Sequence, residues 1–291
     1  MEEPVPLRIL IPKGRIYENI ERLFAEVGLP IRLGGRAYRP DLGADWLDAK
    51  IMKPQNVGEL LELGSHDAGF TGIDWIEESG ADVEEVLDLG FDRVSIVVAV
   101  PDSTDEASLK SKKIVVATEY VRLAEKHLSA NGYHFRIVRT YGATEVFPPD
   151  DADMIIDNTA TGQTLSQNGL KIIGTILRSS TKFFASKEAM RDTEKRASIE
   201  ELAMLFRAVL QARERVMLEM NVVESKYREL LRSLPAMRSP TVAPLYCENG
   251  GESGFAVKIA VPKTEVPALI PRLKRLGATD IVEYDLRKVV P

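Results

Sequence analysis

The chain has little of the chemistry that builds disulfides, zinc sites or nucleophilic triads. Among 291 residues there is one cysteine, Cys247, and there are three histidines, His66, His127 and His134. A single thiol forms no intrachain disulfide, so we expect a protein of the reducing cytoplasm. The histidines lack metal-ligand spacing, and none lies near Cys247 in the sequence to activate it. A zinc site is therefore not expected, and a nucleophilic cysteine has no support.

Excess positive charge and long apolar runs are also missing. The net charge is −6 and the pI about 5.4, which argues against a broad surface for nucleic acid or anionic lipid. No apolar run approaches the roughly 18 residues of a membrane-spanning helix. The first residues are acidic and then only briefly apolar, unlike a secretory signal. We expect no nucleic-acid partner and no membrane, although a small local anion site stays possible.

What is present is an alternation of short buried strands and amphipathic helices. Residues 7–12, LRILIP, predict a strand, and the apolar residues from Ile16 to Val27 recur at helical spacing until Gly28. The segment HDAGFTGIDWIEESG repeats this theme, which indicates an α/β domain. The polar segment 102–111 is predicted to cross between two lobes.

The last 80 residues follow a different order. From about residue 211 the pattern predicts β-α-β-β-α-β, the ferredoxin-like order, with CENGG as the hairpin turn around Cys247. We therefore expect a separate small α+β domain at 211–291.

The segment DNTATGQTL, residues 157–165, follows a predicted strand and precedes a predicted helix. Backbone N–H groups of such a glycine-containing turn point into one concavity and favour a phosphate. Thr161 and Thr164 offer hydroxyl donors, and Gly162 allows close approach of the backbone. Asp157 would repel a phosphate but accepts hydrogen bonds from sugar hydroxyls, so the segment predicts a phosphoribosyl site. An ordinary helix N-cap explains the segment equally well.

Two more strand ends carry polar residues. Lys13 and Arg15 flank a glycine directly after the first strand, where an anionic pyrophosphate or triphosphate would be held. Cations at the start of a helix oppose the helix dipole, so their presence here favours a binding role. The alternative is that both side chains simply face solvent at the start of the helix. TGID ends the next strand at Asp74, and open α/β sheets bind ligands at the carboxyl ends of strands.

The loop GATEVFP supplies a further acid, Glu145, before the strand DADMIID. Glu145 could join Asp153 and Asp157 around sugar hydroxyls or a Mg²⁺ ion. Alternatively, Asp153 simply faces solvent, and the sequence favours neither reading.

Together these segments resemble ATP phosphoribosyltransferase, the family that opens histidine biosynthesis. The resemblance rests on PKGR, on DAGFTGIDW with the following DLG, on VVATEY, and on GATEVFPPDDADMIIDNTATGQTLSQNGL. The tail from SPTVAPL to the C-terminus resembles the regulatory domain of the long form. One departure stands before the TGID segment: where the family often has an arginine, this chain has Lys50 and Lys53.

The resemblance implies a two-lobed core of the periplasmic-binding-protein type with a C-terminal ferredoxin-like (ACT-like) domain. The expected boundaries are 1–101 with 180–210 for lobe one, 102–179 for lobe two and 211–291 for the regulatory domain. The implied reaction transfers phosphoribose from 5-phosphoribosyl 1-pyrophosphate to N1 of ATP with Mg²⁺, under inhibition by histidine, in a homo-oligomer of two to six chains. The expected catalytic residues are Lys13, Arg15, Glu145 and Asp157, and the expected substrate-binding residues are Asp74, Asp153, Thr161, Gly162, Gln163 and Thr164.

Two other functions share this fold. A small-molecule-binding protein would keep the two lobes without catalysis, because a fold by itself does not decide function. A regulatory subunit would keep the fold but lose the active site, and the intact TATGQTL and PKGR segments argue against it.

Overall fold

A computed structural model describes residues 6–34, 38–235, 239–246 and 253–290. The chain divides into two compact units, residues 1–203 and 204–291. The predicted CENGG turn and Cys247 lie outside the described residues. Among the residues that are described, no helix is both long and apolar enough to cross a bilayer.

The first unit alternates strands and helices as predicted. Its strands are β1 (Leu7–Pro12), β2 (Leu47–Met52), β3 (Ala68–Gly72), β4 (Val83–Pro101), β5 (Lys113–Thr118), β6 (His134–Arg139), β7 (Met154–Thr159) and β8 (Leu170–Ser186). Its helices are α1 (Arg15–Val27), α2 (Val57–Glu62), α3 (Ile73–Ser79), α4 (Val121–Ala130), α5 (Gln163–Gln167), α6 (Lys187–Arg191) and the start of α7 (Thr193–Arg213). Short 3₁₀ turns lie at Pro54–Asn56, Glu106–Lys110 and Thr144–Val146.

Helix α1 shows why local sequence was sufficient for these elements. Its buried residues Ile20, Leu23, Phe24 and Val27 fall on one face at helical spacing. Gly28 then adopts φ 96°, a left-handed conformation that favours glycine, and its N–H bonds back to the last turn. The predicted helix and its predicted stop are both confirmed.

The eight strands form one sheet in the order β2-β1-β3-β8-β4-β7-β5-β6. β1 pairs in parallel with β2 and β3 at one end, and β5 pairs in parallel with β6 and β7 at the other. The long antiparallel strands β4 and β8 join these two parallel halves. The result is a two-lobed α/β core, as the fold class predicted.

The crossing between lobes is made by β4 and β8 and not by the polar segment 102–111, so that expectation is wrong. β4 changes register against β8 between Asp88 and Phe91 and again between Phe91 and Val94. Such irregularities bend a strand, which lets one strand serve both lobes. Ser95 to Ala99 of β4 pair with β7. Because β4 runs through both lobes, it marks no single boundary residue, and the predicted boundary at residue 101 stays a prediction.

The second unit has the predicted ferredoxin-like order. After the end of α7, its elements are β9 (Arg215–Val223), α8 (Glu224–Arg232), β10 (Thr241–Pro244), β11 (Gly254–Pro262), α9 (Val266–Arg275) and β12 (Ala278–Asp285). The strands form an antiparallel sheet in the order β10-β11-β9-β12. Alternate residues of β9, from Val216 to Val222, are buried against the helices, so this domain has its own core.

Candidate active site

Two adjoining cavities lie where the predicted strand ends meet. The first, here called the cleft cavity, has a volume of about 170 Å³ and is lined by Lys13, Arg15, Asp74 and Asn158 among others. The second, the loop cavity, has about 360 Å³ and is lined by Glu145, Asp157 and the threonines of the TATGQTL turn. Arg15 and Asn158 line both. Residues from three distant segments are therefore brought to one continuous site.

The TATGQTL turn begins where β7 ends and leads into α5. Gly162 takes the left-handed φ of 79° as the residue before that helix. Its N–H donates to Thr159 Oγ1 at 2.9 Å, and the N–H of Gln163 donates to Thr161 Oγ1 at 3.4 Å. Both amides are thus bonded within the turn, and a phosphate bound there would replace the threonine oxygens as the acceptor of these N–H groups.

Three acids line the loop cavity beside this turn. Burial, together with the nearby carboxylates of Glu119 and Glu145, raises the pKa of Asp157 to about 6, although hydrogen bonds from Asn158 and Thr144 lower it. The backbone N–H of Asn158 donates to Asp157 Oδ1 at 2.7 Å. A half-buried carboxylate among other acids is stabilised by donors such as sugar hydroxyls, so this wall suits a ribose.

Asp74 is buried and fully bonded at the floor of the cleft cavity. Ser179 Oγ donates to its Oδ1 at 2.5 Å, and Tyr120 Oη donates to its Oδ2 at 2.8 Å. Asn158 Nδ2 in turn donates to Tyr120 Oη at 3.2 Å. The chain of bonds runs from the crossing strand β8 through lobe one to the strand end that carries Asp157.

The sequence reasoning missed Tyr120, Ser179, Asn158 and Glu119. Tyr120 stands in the VVATEY segment that carried part of the resemblance, yet nothing local indicated that its hydroxyl would meet Asp74. Burial and the Asp74 carboxylate raise the pKa of Tyr120 well above its ordinary value, so it stays a neutral donor.

A second set of contacts fastens α3 of lobe one to the start of α4 in lobe two. The ring of Trp75 stacks on that of Tyr120, with centroids 4.6 Å apart. The Glu78 carboxylate accepts from the backbone N–H groups of Arg122 and Leu123, each at 3.0 Å. Because the residue before α4 is Tyr120, which provides no side-chain cap, α4 is capped by the other lobe.

We expect Glu78→Gln to destabilise the protein by about 0.5–2 kcal/mol, because it removes negative charge and an acceptor at the start of α4. The urea unfolding midpoint measures this. Glu77→Gln is the matched control, since Glu77 neighbours Glu78 on α3 and is exposed. Equal midpoints for the two variants would contradict the cap.

Some predicted residues lie away from these cavities. Asp153 does not line either one: its carboxylate contacts Lys112 Nζ at 2.6 Å and the Val115 N–H at 2.9 Å, and both contacts lower its pKa. Gly162 and Gln163 contribute through the backbone of the turn, and they do not line the loop cavity. Lys50, on β2, and the exposed Lys53 line neither cavity.

Within the described residues, no group of three or more histidine, cysteine, aspartate or glutamate side chains is placed to hold a metal ion. Mg²⁺ commonly binds through one or two carboxylates together with substrate phosphates. The acids of the loop cavity therefore suit an ion carried by a phosphorylated substrate better than a resident one.

Comparison with known proteins shows the family of the chain. Residues 53–208 match the family model for ATP phosphoribosyltransferase, and residues 212–288 match the model for the C-terminal domain of HisG. The chain is 39% identical over 290 residues to an ATP phosphoribosyltransferase of Chlorobium phaeobacteroides, covering 98% of this chain and 97% of that protein. It is 39% identical over 293 residues to one of Pelotomaculum thermopropionicum, covering 98% and 99%.

A solved structure shares the fold of the core. It is an ATP phosphoribosyl transferase (HisG:HisZ) complex from Thermotoga maritima, with a TM-score of 0.61 and 23% identity, covering 69% of this chain and 98% of that one. The family matches span both units, and the relatives match over nearly their whole length. The chain therefore belongs to the ATP phosphoribosyltransferase family of pentosyltransferases, with the C-terminal domain of its long form.

Proposed function

We propose that the protein transfers phosphoribose from 5-phosphoribosyl 1-pyrophosphate to N1 of ATP and releases pyrophosphate. The observation that carries this proposal is the loop cavity, whose lining combines the TATGQTL turn, three carboxylates and Arg15. A turn suited to a phosphate beside carboxylates suited to sugar hydroxyls supports binding of one phosphoribosyl group.

The adenine nitrogen is the nucleophile, so the protein needs no nucleophilic side chain. The N1 lone pair forms the new bond to the anomeric carbon as the bond from that carbon to the pyrophosphate oxygen breaks. The departing pyrophosphate keeps the electron pair of the broken bond. Catalysis then comes from holding the two substrates in line and from stabilising charge on the sugar and the leaving group.

Each part of the site has a role in this reaction. The turn residues Thr161, Gly162, Gln163 and Thr164 hold the 5-phosphate through amides and hydroxyls. Asp157, with a pKa of about 6, is ionised at neutral pH and accepts from ribose hydroxyls together with Glu145. Lys13 and Arg15 hold the pyrophosphate, and Asp74 lies on the nucleotide side of the cleft cavity.

Mg²⁺ would enter as the counterion of the pyrophosphate, where it neutralises charge on the leaving group. Glu145 and Asp157, which line the loop cavity, would supply carboxylate oxygens to this ion. Asp153 has no part in this proposal, because Lys112 already neutralises it.

The decisive experiment measures pyrophosphate release from ATP and 5-phosphoribosyl 1-pyrophosphate with Mg²⁺, with each substrate omitted in turn. Release that requires both substrates supports the transfer. Tight binding of either substrate without pyrophosphate release would instead support a binding protein. Absence of both substrate binding and pyrophosphate release would support a regulatory subunit.

Replacing both hydroxyls of the turn, Thr161→Val with Thr164→Val, is expected to raise the KM for 5-phosphoribosyl 1-pyrophosphate roughly 10–100-fold. Hydrogen bonds to a charged phosphate are lost, while the nucleotide side is untouched, so the KM for ATP should change less than about twofold. Initial-rate kinetics with each substrate varied in turn measure both values. Equal increases in the two KM values would contradict the assignment of the turn.

The second unit is proposed to sense histidine and to join chains into a homo-oligomer of two to six copies in the cytoplasm. Its sheet ends in β12, where Val282 and Tyr284 are 44% and 48% exposed. An edge strand with exposed apolar side chains is suited to pairing with another copy. Histidine would inhibit by binding the less active arrangement more tightly than the active one.

A chain ending at Arg213 keeps both cavities and α7, and we expect it to lose inhibition by millimolar histidine. Inhibition curves measure this, with light scattering for size and circular dichroism for folding. A folded, active truncation that stays as sensitive as the full chain would place the sensor in the two lobes.

A further inference from the structure

A third cavity, here called the basic cavity, borders both the cleft cavity and the loop cavity. None of the roles proposed above uses it. Its volume is about 400 Å³, and its charged lining residues are Arg93, Arg178, Lys182 and Asp88. It shares Ala160 of the TATGQTL turn with the loop cavity, and it shares Val94, Ser179 and Ser180 with the cleft cavity. A ligand bound at the reaction centre can therefore extend into it.

Two of its three cations are free to bind a ligand. Lys182 is neutralised by Glu85 at 2.8 Å and lies 3.7 Å from Asp88. Asp88 also accepts from Ser180 Oγ at 2.8 Å, so the one carboxylate of the lining is itself occupied. Within the described ranges, the side chains of Arg93 and Arg178 have no hydrogen-bond or ion-pair partner, and both residues are exposed and line the cavity.

The paired crossing strands hold these arginines beside the floor of the cleft. Arg178 is opposite Ser95 in the β4–β8 register, and the next pair is Val94 with Ser179. Ser179 is the residue whose hydroxyl is bonded to Asp74. Arg178 and Ser179 are adjacent on β8, and Arg93 and Val94 are adjacent on β4, so the chain itself keeps both arginines next to residues that line the cleft cavity.

The loop cavity and the cleft cavity are poorly suited to a second polyphosphate. The loop cavity has three carboxylates, Glu119, Glu145 and Asp157, against one cation, Arg15, among the residues described there. The cleft cavity is small, and its Lys13 and Arg15 are offset by Asp74 and Asp92. Lys50 and Lys53, which stand where the family often has an arginine, line none of these cavities.

We propose that the basic cavity binds the triphosphate of the nucleotide substrate, with Arg93 and Arg178 as its guanidinium donors. The planar guanidinium presents parallel N–H groups that match phosphate oxygens. Pyrophosphate of the sugar substrate stays with Lys13 and Arg15, so the two polyphosphates bind on different sides of Ser179. This assignment rests on the proposed function and names the part of the site that recognises the triphosphate.

The test uses the full chain with Arg93→Met and Arg178→Met combined, because methionine keeps much of the side-chain volume without charge. The matched control is Arg136→Met with Arg191→Met, two exposed arginines of the same unit that line none of the cavities above. Calorimetric titrations measure the Kd of ATP and of AMP for parent, variant and control, and inorganic tripolyphosphate is titrated as a competitor. Initial rates give the KM for each substrate.

We expect the Kd and KM for ATP to rise at least about tenfold in the variant, with the Kd of AMP and the KM of the sugar substrate within about twofold of the parent. Tripolyphosphate should compete with ATP in the parent and in the control, and no longer in the variant.

An unchanged Kd for ATP, or equal losses of affinity for ATP and AMP, would overturn the proposal, as would a parent that does not bind ATP. A parent that binds ATP but releases no pyrophosphate would refute the proposed reaction, while the titrations would still decide the triphosphate site.

Discussion

Asp157→Asn is expected to lower kcat/KM by roughly 100-fold or more while making the folded protein more stable near neutral pH. The loss of activity follows because hydrogen bonds from ribose hydroxyls to a carboxylate strengthen as positive charge develops on the sugar. An amide keeps the shape of the side chain and removes the charge that provides this effect. Steady-state kinetics and urea unfolding of the same preparations measure the two changes.

The gain in stability follows from the raised pKa of Asp157. The unfolded chain loses this proton near 3.8, whereas burial holds it in the folded protein up to about 6. The ionised side chain therefore costs folding free energy above pH 6, and the cost disappears as pH falls from 6 towards 3.8. Asparagine never ionises, so the variant should be about 1–3 kcal/mol more stable at neutral pH. In the parent, kcat/KM should fall as pH is lowered through about 6.

Asp153→Asn is the matched control, four residues earlier in the chain. Its pKa is lowered by Lys112 and by the Val115 N–H, so its charge stabilises the fold above its ordinary pKa. We expect this variant to lose stability and to keep kcat/KM within about twofold of the parent. A comparable loss of kcat/KM in both variants would show that Asp153 also contacts substrate, as the sequence suggested. A less stable Asp157→Asn protein would contradict the account of its pKa.

Arg15→Ala is expected to lower kcat/KM by roughly 30–1,000-fold, which corresponds to about 2–4 kcal/mol of lost transition-state stabilisation. Arg15 lines both the cleft cavity and the loop cavity, where the proposed reaction places the leaving pyrophosphate. Its side chain is 62% exposed and lies 3.9 Å from Asp92, so the guanidinium is free to turn towards a ligand. The effect should fall on kcat as well as on KM, because the charge on pyrophosphate grows in the transition state.

Arg22→Ala provides the comparison for Arg15, since Arg22 is an exposed arginine two turns further along α1 and lines neither cavity. We expect its kcat/KM to stay within about twofold of the parent. If Arg15→Ala behaves like Arg22→Ala, Arg15 is a surface cation and the pyrophosphate must be held elsewhere.

The sequence by itself determined the features that depend on neighbours along the chain. Helix α1 and its stop at Gly28 follow from periodicity and from one glycine conformation. The TATGQTL turn is a contiguous segment whose atoms lie together in any fold that places a strand before it and a helix after it. The ferredoxin-like order of the second unit follows from the alternation of strand and helix patterns.

Only the tertiary structure decided which side chains meet across the cleft. Tyr120 and Asp74 are 46 residues apart and Ser179 is 105 residues from Asp74, so no local pattern indicated their hydrogen bonds. The cap of α4 by Glu78 is likewise a contact between lobes. Arg93 and Arg178 reach one cavity because β4 and β8 pair in a particular register, which shifts several times along the two strands, and residue periodicity does not encode the register between distant strands. Periodicity specifies which face of an element is buried, whereas the pairing and packing of elements specify which exposed groups share a site.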